Sequence, residues 1–158
     1  MKTFGFFRQR MASARRQRGV AMVEFAIGAP ILLLLLLAVG EFGRVLLQYN
    51  QLMQASRDSA RYVAGSAWNR TLGQIDLTGL TTSGKNLAVY GKPTAGGSPA
   101  VTGLTTGSVE ISPVGAEHIQ VTIRHTFLPV IGNVLPTFYG DDIPLNVELV
   151  ATTVMRVL

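Results

Sequence analysis

Apolar and polar positions follow two different periods along this chain, and the change of period divides it. From Val20 to Phe42 only Glu24 and Glu41 are charged, and Ile31–Leu37 is an unbroken Ile/Leu run. At about 1.5 Å per residue this segment is roughly 35 Å long, enough to cross a hydrocarbon core with some tilt. A helical period continues beyond it. Phe42, Val45, Leu46, Tyr49, Leu52, Met53, Ala60 and Val63 recur at three- and four-residue steps, with Arg44, Gln48, Asn50, Arg57, Asp58 and Arg61 between them. The spacing predicts one long helix from about Val20 to about Ala64, with its first half in lipid and its second half an amphipathic stem. Gly65-Ser66 is a plausible stop. Pro30 lacks a backbone donor and should kink the membrane half, which neighbouring helices tolerate in a bilayer.

Beyond Ser66 the pattern changes. Residues 71–108 are rich in Thr, Gly and Ser, and "TGLTT" occurs at Thr78–Thr82 and Thr102–Thr106, an echo that reads as compositional bias. "NLAVYGKP" (Asn86–Pro93) suits a short strand or a helix end, and "KPTAGGSP" a loop. A period of two then takes over. In His118–Phe127 the residues Ile119, Val121, Ile123, His125 and Phe127 share a face, and Ile143–Val157 alternates through Leu145, Val147, Leu149, Ala151, Thr153 and Met155. Val109–Ile111 is a shorter candidate strand. The apolar, proline-broken "LPVIGNVLPTFYGDD" between the main strands fits a covered loop or short helix. A few antiparallel strands packed on the stem would bury both apolar sets, and so small a sheet needs such a partner. The expected class is therefore α+β. The expected parts are a basic leader (1–19), a membrane helix (20–42), an amphipathic stem (43–66) and a small domain with antiparallel strands (67–158).

Charge adds orientation to this picture. The first 18 residues carry Lys2, Arg8, Arg10, Arg15, Arg16 and Arg18 and no acid, whereas the other 140 hold eight Lys/Arg against nine Asp/Glu. The net charge of +5 thus belongs to a short leader. It reads as a topology signal or surface tether and not as a nucleic-acid face. By the positive-inside rule the leader stays in the cytoplasm and the domain is exported. Two plain readings compete: a cleavable secretory signal with Ala38-Val39-Gly40 as its small-x-small site, and an uncut signal anchor. Neither accounts for Glu24. A carboxylate in a membrane helix costs about 2.5–3.5 kcal/mol on insertion scales, so it calls for a partner or a route to the headgroups. Arg18, six residues away, lies on a different helical face.

The basic leader ending in Gly19, the Val20-Ala21-Met22-Val23 step, Glu24 and the long apolar helix together resemble a type IV prepilin. More narrowly, the first 65 residues resemble the TadE-like pseudopilins of the tight-adherence (Flp) pilus. The shared features are Glu24-Phe25, the Pro-Leu-rich run from Pro30, Glu41-Phe42-Gly43-Arg44, the Ala/Arg helix end at Ala55–Ala64 and, more weakly, the terminal Met155-Arg156. The resemblance implies cutting by a prepilin peptidase between Gly19 and Val20, which makes Glu24 the fifth mature residue. Glu24 then lies roughly 6 Å along the helix from the new amino terminus. It would pair with the amine of a neighbouring subunit and set the axial register of assembly, each charge relieving the other's desolvation.

Major pilins of that system usually carry Glu-Tyr and are very short, so Phe25 and the extra domain favour a minor, pseudopilin role. The resemblance implies as partners the prepilin peptidase, the major pilin, a sister pseudopilin, the inner-membrane platform with its secretion ATPase, and the bilayer. Phe25, Gly28, Pro30, Gly40 and Gly43 are the expected helix-packing positions, the glycines by allowing close approach. The implied location is the bacterial inner membrane, single-pass, with possible incorporation in the pilus. The main rival is an uncleaved, envelope-anchored structural or adhesion domain.

Chemistry is otherwise sparse. Gly79–Asn86, "GLTTSGKN", is a near miss to a phosphate-binding loop, with Asn86 in place of the Mg²⁺-holding Ser/Thr, no apolar strand before it and Pro93 soon after. His118 and His125 are seven apart, so on one strand they face opposite ways and cannot share a metal. His125, between Ile123 and Phe127, suits a hydrogen-bonded core position. Asp141-Asp142 after Tyr139-Gly140 reads as a solvated turn before a calcium site. No nucleophile–base spacing stands out, and there is no cysteine. The expectation is a structural protein without cofactor or metal, not an enzyme.

Overall fold

The computed structural model describes residues 10–130, 132, 134–135, 143–144 and 146–158. It has two compact units, Met1–Gly40 and Glu41–Leu158. The first helix, α1, runs from Arg10 to Ala64 with Pro30 inside it. It begins upstream of the Val20 expected from the apolar run, because the residues before Gly19 are mostly good helix formers. It ends where expected: Gly65 N–H reaches Arg61 O at 3.1 Å and Ser66 N–H reaches Val63 O at 3.1 Å. Arg61 in the last turn faces the negative end of the helix dipole.

In the second unit the chain next makes a small hairpin of β1 (Trp68–Asn69) and β2 (Gln74–Ile75). The Asn69 side-chain oxygen accepts the N–H groups of Thr71 and Leu72, and Gly73 closes the turn at φ 62. A second Asx turn follows, with Asp76 accepting the Thr78 N–H at 2.9 Å. The Thr78 hydroxyl and N–H, with Asn69, hold the Asp76 carboxyl below its usual range. Helix α2 spans Leu80–Tyr90 and ends in a left-handed cap at Gly91, whose N–H bonds Leu87 O at 2.9 Å. Asn86–Tyr90 is thus the end of a helix, one of the two forms that stretch suits.

The principal sheet has the order β3-β4-β7, all antiparallel: β3 is Val109–Val114, β4 His118–Thr126 and β7 Glu148–Arg156. A two-residue pairing, β5 (Val134–Leu135) with β6 (Ile143–Pro144), lies in the connection between β4 and β7. The period-two reading holds on both long strands. Ile119, Val121, Ile123 and His125 are buried on β4, as are Leu149 and Ala151 on β7. Val147 departs from it and is exposed, since β7 begins only at Glu148. Leu128 and Val130, expected under cover, are exposed too, and Asp141-Asp142 lies outside the described residues.

The arrangement is α+β: stem residues Leu52, Ala60, Val63 and Ala64 join the inward faces of the strands in a single core. Burying such side chains contributes about 1.5–3 kcal/mol each for the larger ones. Small stem residues let the layers meet closely. Ser56 Oγ lies 2.7 Å from Thr153 Oγ1, and the buried Ser59 hydroxyl donates to Gly84 O at 2.9 Å. Gly84 itself sits inside α2 against α1. A Cβ there would lie 2.6 Å from Val63 Cγ2 and 2.8 Å from Ile111 Cδ1. The stretch that imitates a phosphate loop is therefore a packed helix, with its glycine spent on helix–helix contact.

Candidate functional site

The first unit presents the residues singled out in the sequence. From Gly19 onward α1 is long and apolar enough to cross a membrane, and its apolar stretch is not buried within the protein. Gly19, Val20, Glu24, Phe25 and Pro30 are exposed, and Gly28 is half-buried. A Cβ added at Gly19, Gly28, Gly40 or Gly43 would meet nothing within 4 Å, so no contact inside the chain calls for glycine there. Among the described residues no side chain pairs with Glu24. Val20 and Glu24 are one helical turn apart on a common face. The scissile step expected at Gly19–Val20 lies within the continuous helix. Glycine there weakens the helix by about 1 kcal/mol relative to alanine.

The second unit opens with a cluster that the sequence hinted at only through an acid and a base three residues apart. Glu41 pairs with Arg44 at 3.0 Å, and its other oxygen accepts the backbone N–H of Val130 at 2.9 Å. The Arg44 guanidinium lies over the Phe127 ring, 5.6 Å from its centroid. Phe127 is buried. Glu41-Phe42-Gly43-Arg44 thus ties the stem to a segment nearly ninety residues later in the chain. No periodicity argument finds that partner, because it is brought there by the direction of β4.

The histidines are separated as their spacing requires: His118 is exposed and His125 buried. Among the described residues no three His, Asp or Glu side chains gather where they could hold a metal. Burial lowers the His125 pKa from 6.5, because the charged imidazolium is poorly solvated there. The unfolded chain therefore binds this proton more readily than the folded one. His125 contributes stability that is complete above 6.5 and lost as the pH falls below that value. Thermal melts between about pH 7.5 and 5.5 should show this loss, and His125→Gln should flatten it.

Residues 19–61 match the family model described as TadE-like protein. It covers α1 from Gly19 almost to its end and nothing beyond. No curated protein matches the chain. No solved structure matches it either.

Proposed function

We propose, with the TadE-like match over residues 19–61 as premise, that this protein is a minor pilin or pseudopilin serving assembly of a tight-adherence pilus. A prepilin peptidase cuts the Gly19–Val20 bond on the cytoplasmic side of the inner membrane, leaving α1 as a single-pass anchor and the strand-bearing unit exported. The new Val20 amine then pairs with Glu24 of an adjoining pilin or sister-pseudopilin helix. Phe25, Gly28, Gly40 and Gly43 lie along the surfaces that meet, and Pro30 adjusts the helix between them. The role is structural, with the pilus platform and major pilin as partners.

The observation that carries this reading is Glu24, an exposed carboxylate near the head of an otherwise apolar, exposed helix. A buried charge without a counterion is strongly disfavoured, and the amine released at Val20 is a cation within the reach of a staggered neighbour. Uniform lipid anchoring needs no such acid.

Amino-terminal sequencing of the protein from cells with an active prepilin peptidase tests the proposal. The expected first residue is Val20. An intact leader in functional protein overturns it in favour of the uncleaved envelope anchor, and a start near Glu41 overturns it in favour of signal-peptidase release. Gly19→Val should accumulate full-length chain, seen as a heavier band retaining the basic leader. Normal processing of that variant would move the cut elsewhere.

A further inference from the structure

The domain that follows the membrane segment leaves apolar side chains in the open at its first residues. Phe42, Leu46 and Leu47 on the stem are exposed, and so are Leu128 and Val130, at 66% and 77%. These last two lie one and three residues after a residue that the fold does bury, Phe127. The direction of the sheet explains how they come near Phe42. Val157 N–H bonds Glu117 O and Leu158 N–H bonds Ala64 O, so β4 starts beside the far end of the stem. It then runs back along the stem until Phe127 lies under Arg44. The next three residues descend a further turn, and the Val130 N–H ends on the Glu41 carboxylate.

Glu41 is the first charged residue after Glu24, one residue before the end of the apolar segment at Phe42. A hydrocarbon core of about 30 Å takes roughly twenty helical residues, so a span entered near Val20 reaches the lipid–water boundary at about Gly40–Phe42. Chain connectivity alone therefore places the Glu41 clamp at that boundary. The loop is fixed there by a carboxylate whose charge is already matched by Arg44. The Val130 N–H meets the Glu41 carboxylate while the Leu128 and Val130 residues stay exposed. In water this arrangement leaves apolar surface hydrated. At a bilayer surface the same side chains meet acyl chains, the disposition of an interfacial segment.

We propose that the Leu128–Val130 loop seats the exported domain on the bilayer. Leu128 and Val130 enter the boundary between headgroups and acyl chains beside Phe42, and Glu41 holds the loop at that depth. The ligand is the acyl region of ordinary phospholipid, recognised by apolar contact. The inference rests on α1 spanning the membrane and is independent of the pilus assignment.

The chain has no cysteine, so single-cysteine labelling is clean. Full-length Leu33→Cys, Leu72→Cys, Leu128→Cys and Val130→Cys proteins, each carrying an environment-sensitive fluorophore, are reconstituted in phosphatidylcholine–phosphatidylglycerol vesicles. Lipids bearing nitroxides along their acyl chains act as quenchers. Probes at 128 and 130 should shift to the blue and lose about half or more of their emission, as interfacial positions do. The probe at Leu72, an exposed residue of the β1–β2 hairpin, should keep its emission. Quenching at 33 without quenching at 128 and 130 overturns the proposal while the membrane span stands. No quenching at 33 removes the span and the proposal together. A blue shift at 130 that grows with protein density and ignores the nitroxides assigns the surface to a second copy and overturns the lipid contact. Glu41→Ala should return the probe at 130 to the behaviour of position 72, and retained quenching there overturns the holding role of Glu41.

Discussion

Glu24→Ala is expected to leave the protein in the membrane, folded, and excluded from pilus assembly. Removing the carboxylate relieves about 2.5–3.5 kcal/mol of insertion cost, so the membrane fraction should be undiminished. The unit Glu41–Leu158 is compact in its own right and contains none of the changed contacts. Its melting temperature and protease resistance should match those of the wild type. Assembly is different. An uncompensated Val20 amine among packed helices carries the penalty of a broken buried pair, about 3–5 kcal/mol, or more than a hundredfold in the assembly equilibrium. Co-purification with the major pilin, together with counts of surface pili, reads this directly. Glu24→Gln keeps the shape and removes the charge, and should fail as completely. Normal piliation in either variant would sink the charge-pairing role.

Gly84→Val should damage the other unit and spare the first. The first added carbon already lies inside the contact distance of Val63 and Ile111, and Val63 is fully buried and, being β-branched in a helix, stiff at χ1. Overpacking of this kind costs about 1–3 kcal/mol per site, and two further methyl groups place valine at or above the upper end. Gly84→Ala should be milder, because alanine recovers about 1 kcal/mol of helix propensity. Gly107→Ala is a fitting control, since its Cβ would meet only Thr105 Oγ1 at 3.7 Å. Urea melts of the full chain in detergent, followed through the single Trp68, measure the differences. Insertion should persist in all three variants. If Gly84→Val melts like the wild type, α1 and α2 do not approach as closely as described.

Gly84 also shows where reading the sequence stops. In the chain it appears inside "GLTTSGKN", where glycine and lysine suggest a phosphate loop. Pro93 does leave little room for a helix after that lysine, since α2 ends at Tyr90. The nucleotide reading fails for another reason: those residues are the helix itself, in contact with Ser59 and Val63. The β-strands were more legible. Alternation in His118–Phe127 reflects a strand with one face in the core and the other toward solvent, and period two is a local property. Where local context ran out, as at Val147 and Leu128, the inward assignment failed, because the strand edge and the turn decide which way those side chains go.

By itself the sequence determined a helix long and apolar enough to cross a membrane, its continuation and stop near Ala64, the two long strands, and the position of a lone acid four residues after Val20. Each depends on composition or on periods of two and 3.6 residues, which backbone geometry imposes on neighbours in the chain. Only the tertiary structure decided that Gly84 is a helix contact, that Ser56 meets Thr153, and that Glu41 holds Val130. Those pairings join residues separated by a whole strand or more. They arise from the way α2, β4 and β7 fold back onto the stem, which no local pattern encodes.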